Sequence, residues 1–294
     1  MSEGRIRIVA EAGVNHDGSF AKACDLVSAA VDAGADAVKF QSFRSDTVVR
    51  AGARKADYQI RQTGASESQR EMLAKLQLTA DAQRELRAYS ADVGIEFLST
   101  PFDRESLSLL VDMDVSAIKL SSGDLTNEPL LRAAAEVDKP VIVSTGMATL
   151  GEVEAALAVI ASEKLGVSDT IGALARPDGQ QALRHTVTLL HCTSEYPAPV
   201  EEVNLRAMDT LGSAFGLPVG YSDHTMGVTV PVAAAARGAC YIEKHFTLDR
   251  EAAGPDHSAS MEPDGFGRMV RAVRDVESAL GSGRKVPSPS ELEN

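Results

Sequence analysis

The sequence predicts a (β/α)8 (TIM) barrel, an α/β fold of eight parallel strands each followed by a helix. Three observations carry this expectation. Short β-rich runs alternate with Ala-, Leu- and Val-rich stretches of 3.6-residue period along the whole 294-residue chain. Gly or Pro stands just past several helical stretches and introduces the next run, at Gly34, Gly94, Pro140, Pro218 and Gly238. Polar side chains gather at the carboxyl end of all eight runs, where a barrel keeps its chemistry. A doubly wound sheet is the competing architecture. It would place a Gly-rich dinucleotide turn after the first strand, and Gly13-Val14-Asn15-His16-Asp17-Gly18 is not one.

In chain order, the first run (7–10) ends in Glu11 and Asn15-His16-Asp17-Gly18, followed by helical period over 19–33. The second (37–41) carries Lys39 and Gln41, two residues apart and so on one face of a strand. Residues 52–77 form a polar excursion ending in a helix from Ser68, and a further helix spans 80–93. The third run (96–99) leads into Thr100-Pro101-Phe102-Asp103 and a helix over 105–113. The fourth (117–120) carries Lys119 and is followed by Ser121-Ser122-Gly123-Asp124 and a helix over 130–137. The fifth (141–144) ends Ser144-Thr145-Gly146, before a helix over 150–163 and an expected surface insertion over 164–184. The sixth (187–191) leads into Cys192-Thr193-Ser194-Glu195-Tyr196-Pro197. The seventh (219–222) continues to Asp223-His224, with a helix over 225–237, and the eighth (241–245) ends in His245, with Gly254-Pro255-Asp256-His257-Ser258 beyond it. The Ser-, Pro- and Gly-rich residues 282–294 read as a linker tail, so the barrel domain is expected over 1–281.

A hydrophobic content of 44% supports a sizeable core. The net charge of −13, with no basic run to offset it, argues against nucleic-acid and membrane-surface partners. An anion would have to be held by locally placed Lys, Ser and backbone N–H groups. Cys24, Cys192 and Cys240 lack CxxC spacing and are expected to be reduced, buried thiols. No leader-like or 18-residue apolar stretch stands out, and the expected location is the cytoplasm.

His224 and His245 are the most informative pair. Their 21-residue separation exceeds any helix face but suits the ends of neighbouring strands joined by a crossover helix, where two imidazoles converge on one ion. Such a pair suits Mn2+, Zn2+ or a similar ion with positions left for substrate. Lys39 and Lys119, with Ser122, Ser144 and nearby Thr hydroxyls, suit a phosphate and a carboxylate. Glu243 shares the His245 face, as its partner or as a proton acceptor. The residues together point to a small, doubly anionic substrate and a metal-polarised carbonyl.

The segments AEAGVNHDG, ADAVKFQSF, FLSTPFD, IKLSSGDLTNEPLL, VIVSTGM, LLHCTSEYPAP, GYSDHT, IEKHFTLD and GPDHSASM, in this order, resemble the sialic acid synthase family of N-acetylneuraminate, legionaminate and pseudaminate synthases. The resemblance implies a transferase of the N-acetylneuraminate synthase type. Such an enzyme condenses phosphoenolpyruvate with a 2-acetamido-hexose aldehyde, N-acetylmannosamine in the best-known case, and releases phosphate by C–O cleavage. It implies a divalent metal on His224 and His245, Mn2+ first and Mg2+ or Co2+ as alternatives. It places phosphoenolpyruvate on Lys39, Lys119, Ser122 and Ser144, with Thr100 and Ser194 added. Glu11, Gln41, Tyr196 and Asp256 fall around the sugar and the reacting carbons, with Glu11 and Glu243 handling protons. It further implies a C-terminal antifreeze-like domain beyond the linker tail and a homodimer, domain-swapped where that domain is present. Sugars of the N-acetylmannosamine and 2,4-diacetamido-6-deoxy types differ at C4 and C6, where contacts come from loops such as 52–77. Two other readings stand beside this one: a class I aldolase with a Schiff base on Lys119 or Lys39, and a non-catalytic sugar- or phosphate-binding barrel.

Overall fold

The computed structural model describes residues 5–50, 52–64 and 66–292. Eight strands, β1 (Arg7–Gly13), β2 (Ala37–Ser42), β3 (Glu96–Pro101), β4 (Ile118–Leu120), β5 (Val141–Ser144), β6 (Val187–His191), β7 (Val219–Asp223) and β8 (Tyr241–His245), form one sheet in the order β3-β2-β1-β8-β7-β6-β5-β4. Every ladder is parallel. β3 and β4 lie side by side at the seam, where no ladder joins them among the described residues, so the barrel is nearly closed.

Thirteen helices occur among the described residues: α1 (Phe20–Asp32), α2 (Ser45–Val48), α3 (Asp57–Thr63), α4 (Gln69–Leu76), α5 (Ala80–Asp92), α6 (Arg104–Asp112), α7 (Glu128–Glu136), α8 (Leu150–Leu165), α9 (Thr170–Ala175), α10 (Pro177–Thr186), α11 (Ala207–Phe215), α12 (Thr229–Ala236) and α13 (Pro263–Leu280). Several start where the loop supplies a side-chain cap for the first free amides. Ser19 caps α1, Asp103 caps α6, Asn127 caps α7, and Thr149 with Glu152 forms a capping box on α8. Asp103 thus serves its helix, so a polar strand end is not by itself a site. No described helix is long and apolar enough to cross a membrane.

The alternation of side chains along a strand stacks the barrel interior in layers. Val9, Ala37, Leu98, Ala117, Ile142, Leu190 and Tyr241 form an apolar floor. Two residues further along the same strands stand Glu11, Lys39, Thr100, Lys119, Ser144 and Glu243, all buried. Ile8, Val38, Ile118, Val143, Leu189 and Ile242 point the other way, into the larger core shared with the helices.

Four expectations are corrected. Residues 164–184 are not a loop insertion but hold α9 and α10, the latter opened by Pro177 at its first turn. The 52–77 excursion contains α3 as well as the expected α4. Its buried Lys55 donates to Thr63 Oγ1 (2.8 Å), the Gly64 carbonyl (3.1 Å) and Glu67 (3.1 Å), which gathers the segment onto itself. The helix expected over 225–237 begins only at Thr229, because Thr225 turns back to bond Asp223. Of the cysteines only Cys192 is buried; Cys24 and Cys240 are half-buried. The expected linker runs without helix or strand as far as Leu292, and its last two positions, 293–294, lie outside the described residues.

Gly220 on β7 makes room for the floor. A Cβ there would lie 2.5 Å from Tyr241 Cβ, 2.6 Å from the Tyr241 carbonyl oxygen and 2.7 Å from Leu190 Cδ2. Gly220→Ala is therefore expected to cost ~1–3 kcal/mol by overpacking. A urea titration should show a lower midpoint with an unchanged slope; an unaltered midpoint would contradict the close packing of this floor.

Candidate active site

Above the floor opens a cavity of about 730 Å3, within the size range of small-molecule sites. Glu11, Lys39, Gln41, Thr100, Lys119, Ser122, Ser144, Ser194, Tyr196, His224, Glu243, His245 and Asp256 all line it, so the structure brings together every site residue expected from the sequence. Cys192, Ser222, Arg61, Glu195 and Met147 also line it and were not anticipated. Cys192 sits two positions beyond the floor residue Leu190, and Ser222 two beyond Gly220. Extending the period-2 pattern would have found them.

The layer directly above the floor is charged. Lys39 Nζ lies 2.5 Å from Glu11 and donates to Thr100 Oγ1 at 3.0 Å. Lys119 Nζ donates to Ser144 Oγ at 2.7 Å. Glu243 stands between the two ammonium groups, 3.7 Å from each, and accepts from Ser222 Oγ at 2.8 Å. Two buried carboxyl groups thus face two buried lysines. Burial opposes ionisation of Glu243, yet Lys119, Lys39 and Ser222 overcome it and hold its carboxyl at about 2. For Glu11 burial wins, with Lys39 opposing, and its carboxyl is pushed up to about 7. Burial lowers the Lys119 ammonium, whereas Glu11 and Glu243 outweigh burial at Lys39 and raise it.

Beside this layer, Gly146 leaves space for a cluster of small donors. A Cβ there would lie 2.3 Å from Ser194 Oγ and 2.9 Å from both Ser122 Oγ and Cys192 Sγ. Ser122 Oγ accepts from the Gly146 amide (3.0 Å) and lies 3.1 Å from Cys192 Sγ. Hydroxyls, a thiol kept protonated by burial and backbone N–H groups next to two lysines make a cradle for anionic oxygens.

The two histidines stand at the mouth, their ring centroids 5.4 Å apart. Tyr196 lies against both, 4.2 Å from His224 and 5.3 Å from His245. Burial lowers the pKa of both imidazoles, so each is neutral and has a lone pair to offer. His224 Nδ1 donates to the Thr193 carbonyl at 2.5 Å, which leaves its lone pair on Nε2, 3.5 Å from Ser222 Oγ. His245 Nδ1 is buried without a hydrogen-bond partner, 3.9 Å from Asp256 Oδ2. Such a donor set fits a borderline divalent ion. No cluster of three or more His, Cys, Asp or Glu side chains with ligand geometry occurs among the described residues, so further positions would fall to substrate or water.

Behind the histidines, on the outer face of the strands, Lys244 and Asp223 form a buried ion pair at 2.5 Å. The two are register partners across β7 and β8, and each immediately precedes one of the histidines. Lys244 also donates to the Thr225 carbonyl (2.7 Å), and Asp223 accepts from the Thr225 amide (3.0 Å), which fixes the turn carrying His224.

A model of the NeuB family matches residues 26–285. The chain belongs to the NeuB family. This NeuB-family chain is 47% identical to the N,N'-diacetyllegionaminic acid synthase of Campylobacter jejuni, over 98% of its own length and 81% of that protein. It is 46% identical to the enzyme of the same name from Legionella pneumophila, over 97% of its length and 76% of that protein. The crystal structure of a Leptospira borgpetersenii N-acetylneuraminic acid synthetase in complex with citrate superposes with a TM-score of 0.80 at 32% identity, covering 98% of this chain and 90% of that one. The NeuB-family barrel is therefore an enzyme domain of the sialic acid synthase type.

Burial raises the Asp256 carboxyl from 3.8 to about 6. An acid whose folded pKa exceeds its unfolded value holds its proton more tightly in the native state. Stability then falls as pH rises between the two values and stays low above them. In metal-free protein, Asp256→Asn is expected to raise the unfolding free energy near pH 8 by up to ~3 kcal/mol, a gain that shrinks toward about pH 4. Urea midpoints of both proteins across that range check the sign.

Proposed function

We propose that the chain condenses phosphoenolpyruvate with the open-chain aldehyde of a 2-acetamido sugar, giving a nine-carbon 2-keto acid and inorganic phosphate. One observation carries the reading. The ring of two lysines and two glutamates lies directly beneath a neutral histidine pair in a single cavity. Lys39 and Lys119, with Ser122, Ser144, Thr100 and Ser194, hold the phosphate and carboxylate and orient C3 toward the aldehyde, which supplies the proximity effect. C3 forms the new bond to the aldehyde carbon, whose oxygen takes a proton. Water adds at C2, and the C2–O bond to phosphate breaks as the ketone forms. Glu243, held ionised, opposes the positive charge developing at C2. Glu11, with its carboxyl near 7, is poised to take the proton of the attacking water. A divalent cation on His224 and His245, Mn2+ first and Mg2+ or Co2+ next, supplies Lewis-acid polarisation of the aldehyde when bound.

For the sugar, the 46–47% identity to two N,N'-diacetyllegionaminic acid synthases favours a 2,4-diacetamido-6-deoxy sugar over N-acetylmannosamine. A second reading has one observation in its favour: burial lowers the Lys119 ammonium, as a Schiff-base lysine requires. Borohydride with pyruvate separates the two, since a covalent adduct on Lys119 supports the aldolase and its absence supports the synthase.

Phosphate release is expected to require phosphoenolpyruvate, an acetamido sugar and divalent metal together. Label placed in the bridging oxygen of phosphoenolpyruvate should appear in the phosphate. His224→Ala is expected to lower turnover roughly 10³-fold, in keeping with the several kcal/mol a Lewis acid contributes. Wild-type protein that releases no phosphate, alone or with a relative's C-terminal domain attached, would leave a binding barrel as the better account.

A further inference from the structure

The cavity also has an apolar stretch of wall, set beside Asp57, Gln59 and Arg61 of the segment after β2. Phe43, Val48, Val49, Met72, Leu73 and Phe102 form this stretch. Phe43 and Met72 are buried in a small cluster of their own, and Phe43 meets Phe102 edge-on at 6.4 Å. Phe43 lies two positions beyond Gln41 and Phe102 two beyond Thr100, so the wall rises above β2 and β3. In a ring of eight strands β3 is opposite β7, and the wall therefore stands across the mouth from His224. Its other members come from the segment after β2, gathered by buried Lys55 and tied across the mouth by Arg61–Glu195 at 2.9 Å.

Resting on the synthase reading, we infer that this wall is the specificity subsite of the enzyme, taking the C6 methyl and the C4 acylamino group of a 2,4-diacetamido-6-deoxy sugar. The aldehyde end of the hexose belongs with the histidines, so its far end reaches toward the opposite side of the mouth. An apolar surface there gives a methyl group contact and takes it out of water. A C6 hydroxyl would lose its water partners and gain none from Val, Leu, Met or Phe. Gln69, at the start of α4 on the same lining, brings an amide able to pair with an acylamino N–H or carbonyl. Apolar walls discriminate against an added hydroxyl moderately, roughly 10- to 100-fold in kcat/KM.

The test compares N-acetylmannosamine with a 2,4-diacetamido-6-deoxy sugar on the full chain with Mn2+ and phosphoenolpyruvate. Wild-type protein is expected to favour the deoxy sugar by about 10- to 100-fold in kcat/KM. Leu73→Asn and, with less change of shape, Val49→Thr are expected to shrink that ratio by about tenfold. The KM for phosphoenolpyruvate should stay near wild type in both variants. Equal or better use of N-acetylmannosamine by wild-type protein overturns the subsite while leaving the synthase reading intact. So does a ratio unmoved in both variants. Phosphate release with neither sugar overturns the synthase reading itself and the subsite with it.

Discussion

Everything at this site depends on the two-residue pleat of the barrel strands. Closing eight parallel strands forces alternate side chains inward, and each step of two residues climbs one layer. The first layer is an apolar floor with Tyr241 seated over Gly220. The second is the buried ring of Glu11, Lys39, Thr100, Lys119, Ser144 and Glu243. The third opens into the mouth with Gln41, Ser194, His224 and His245. Residue chemistry is ordered by height, with the lysines and glutamates below and the histidine pair above.

The charged ring would be costly as a purely structural device, because buried ions lose hydration that mutual attraction restores only with good geometry. Here two carboxylates and two ammonium groups balance, yet Glu243 keeps an oxygen without a hydrogen-bond partner. The imbalance falls on Glu11, whose carboxyl rises to about 7 while that of Glu243 stays at about 2. Two glutamates of one layer are thereby set to opposite protonation tendencies: Lys119, Lys39 and the Ser222 hydroxyl together outweigh burial at Glu243, whereas at Glu11 burial and the charge of Glu243 outweigh Lys39.

Strands and charged residues were legible in the sequence because both follow local rules. Period-2 spacing gave the Lys39–Gln41 and Glu243–His245 pairs, and Gly or Pro marked several strand entries. The misses share a different cause. α9 and α10 were hidden because Pro177 and Gly179 read as loop punctuation, although a proline is at home in a first helical turn. α3 was hidden in a polar stretch whose order comes from Lys55, whose partners Thr63, Gly64 and Glu67 lie 8 to 12 residues away. The apolar wall was invisible because Phe43, Val49, Leu73 and Phe102 come from separate segments and share a surface only after folding. Cys192 looked like a core thiol; its burial was right, but it is buried against the cradle serines.

The Lys244–Asp223 pair behind the histidines has a consequence of another kind. Because side chains alternate, slipping β8 by a single residue would send His245 out among the helices and bring Lys244 in. That slip would also pull an ammonium away from its only carboxylate partner among the described residues and leave the Asp223 carboxylate buried without it. The spacing of the two imidazoles is therefore digital rather than adjustable. Mutational drift can abolish this pair or leave it alone, but has no shallow path along which to retune it.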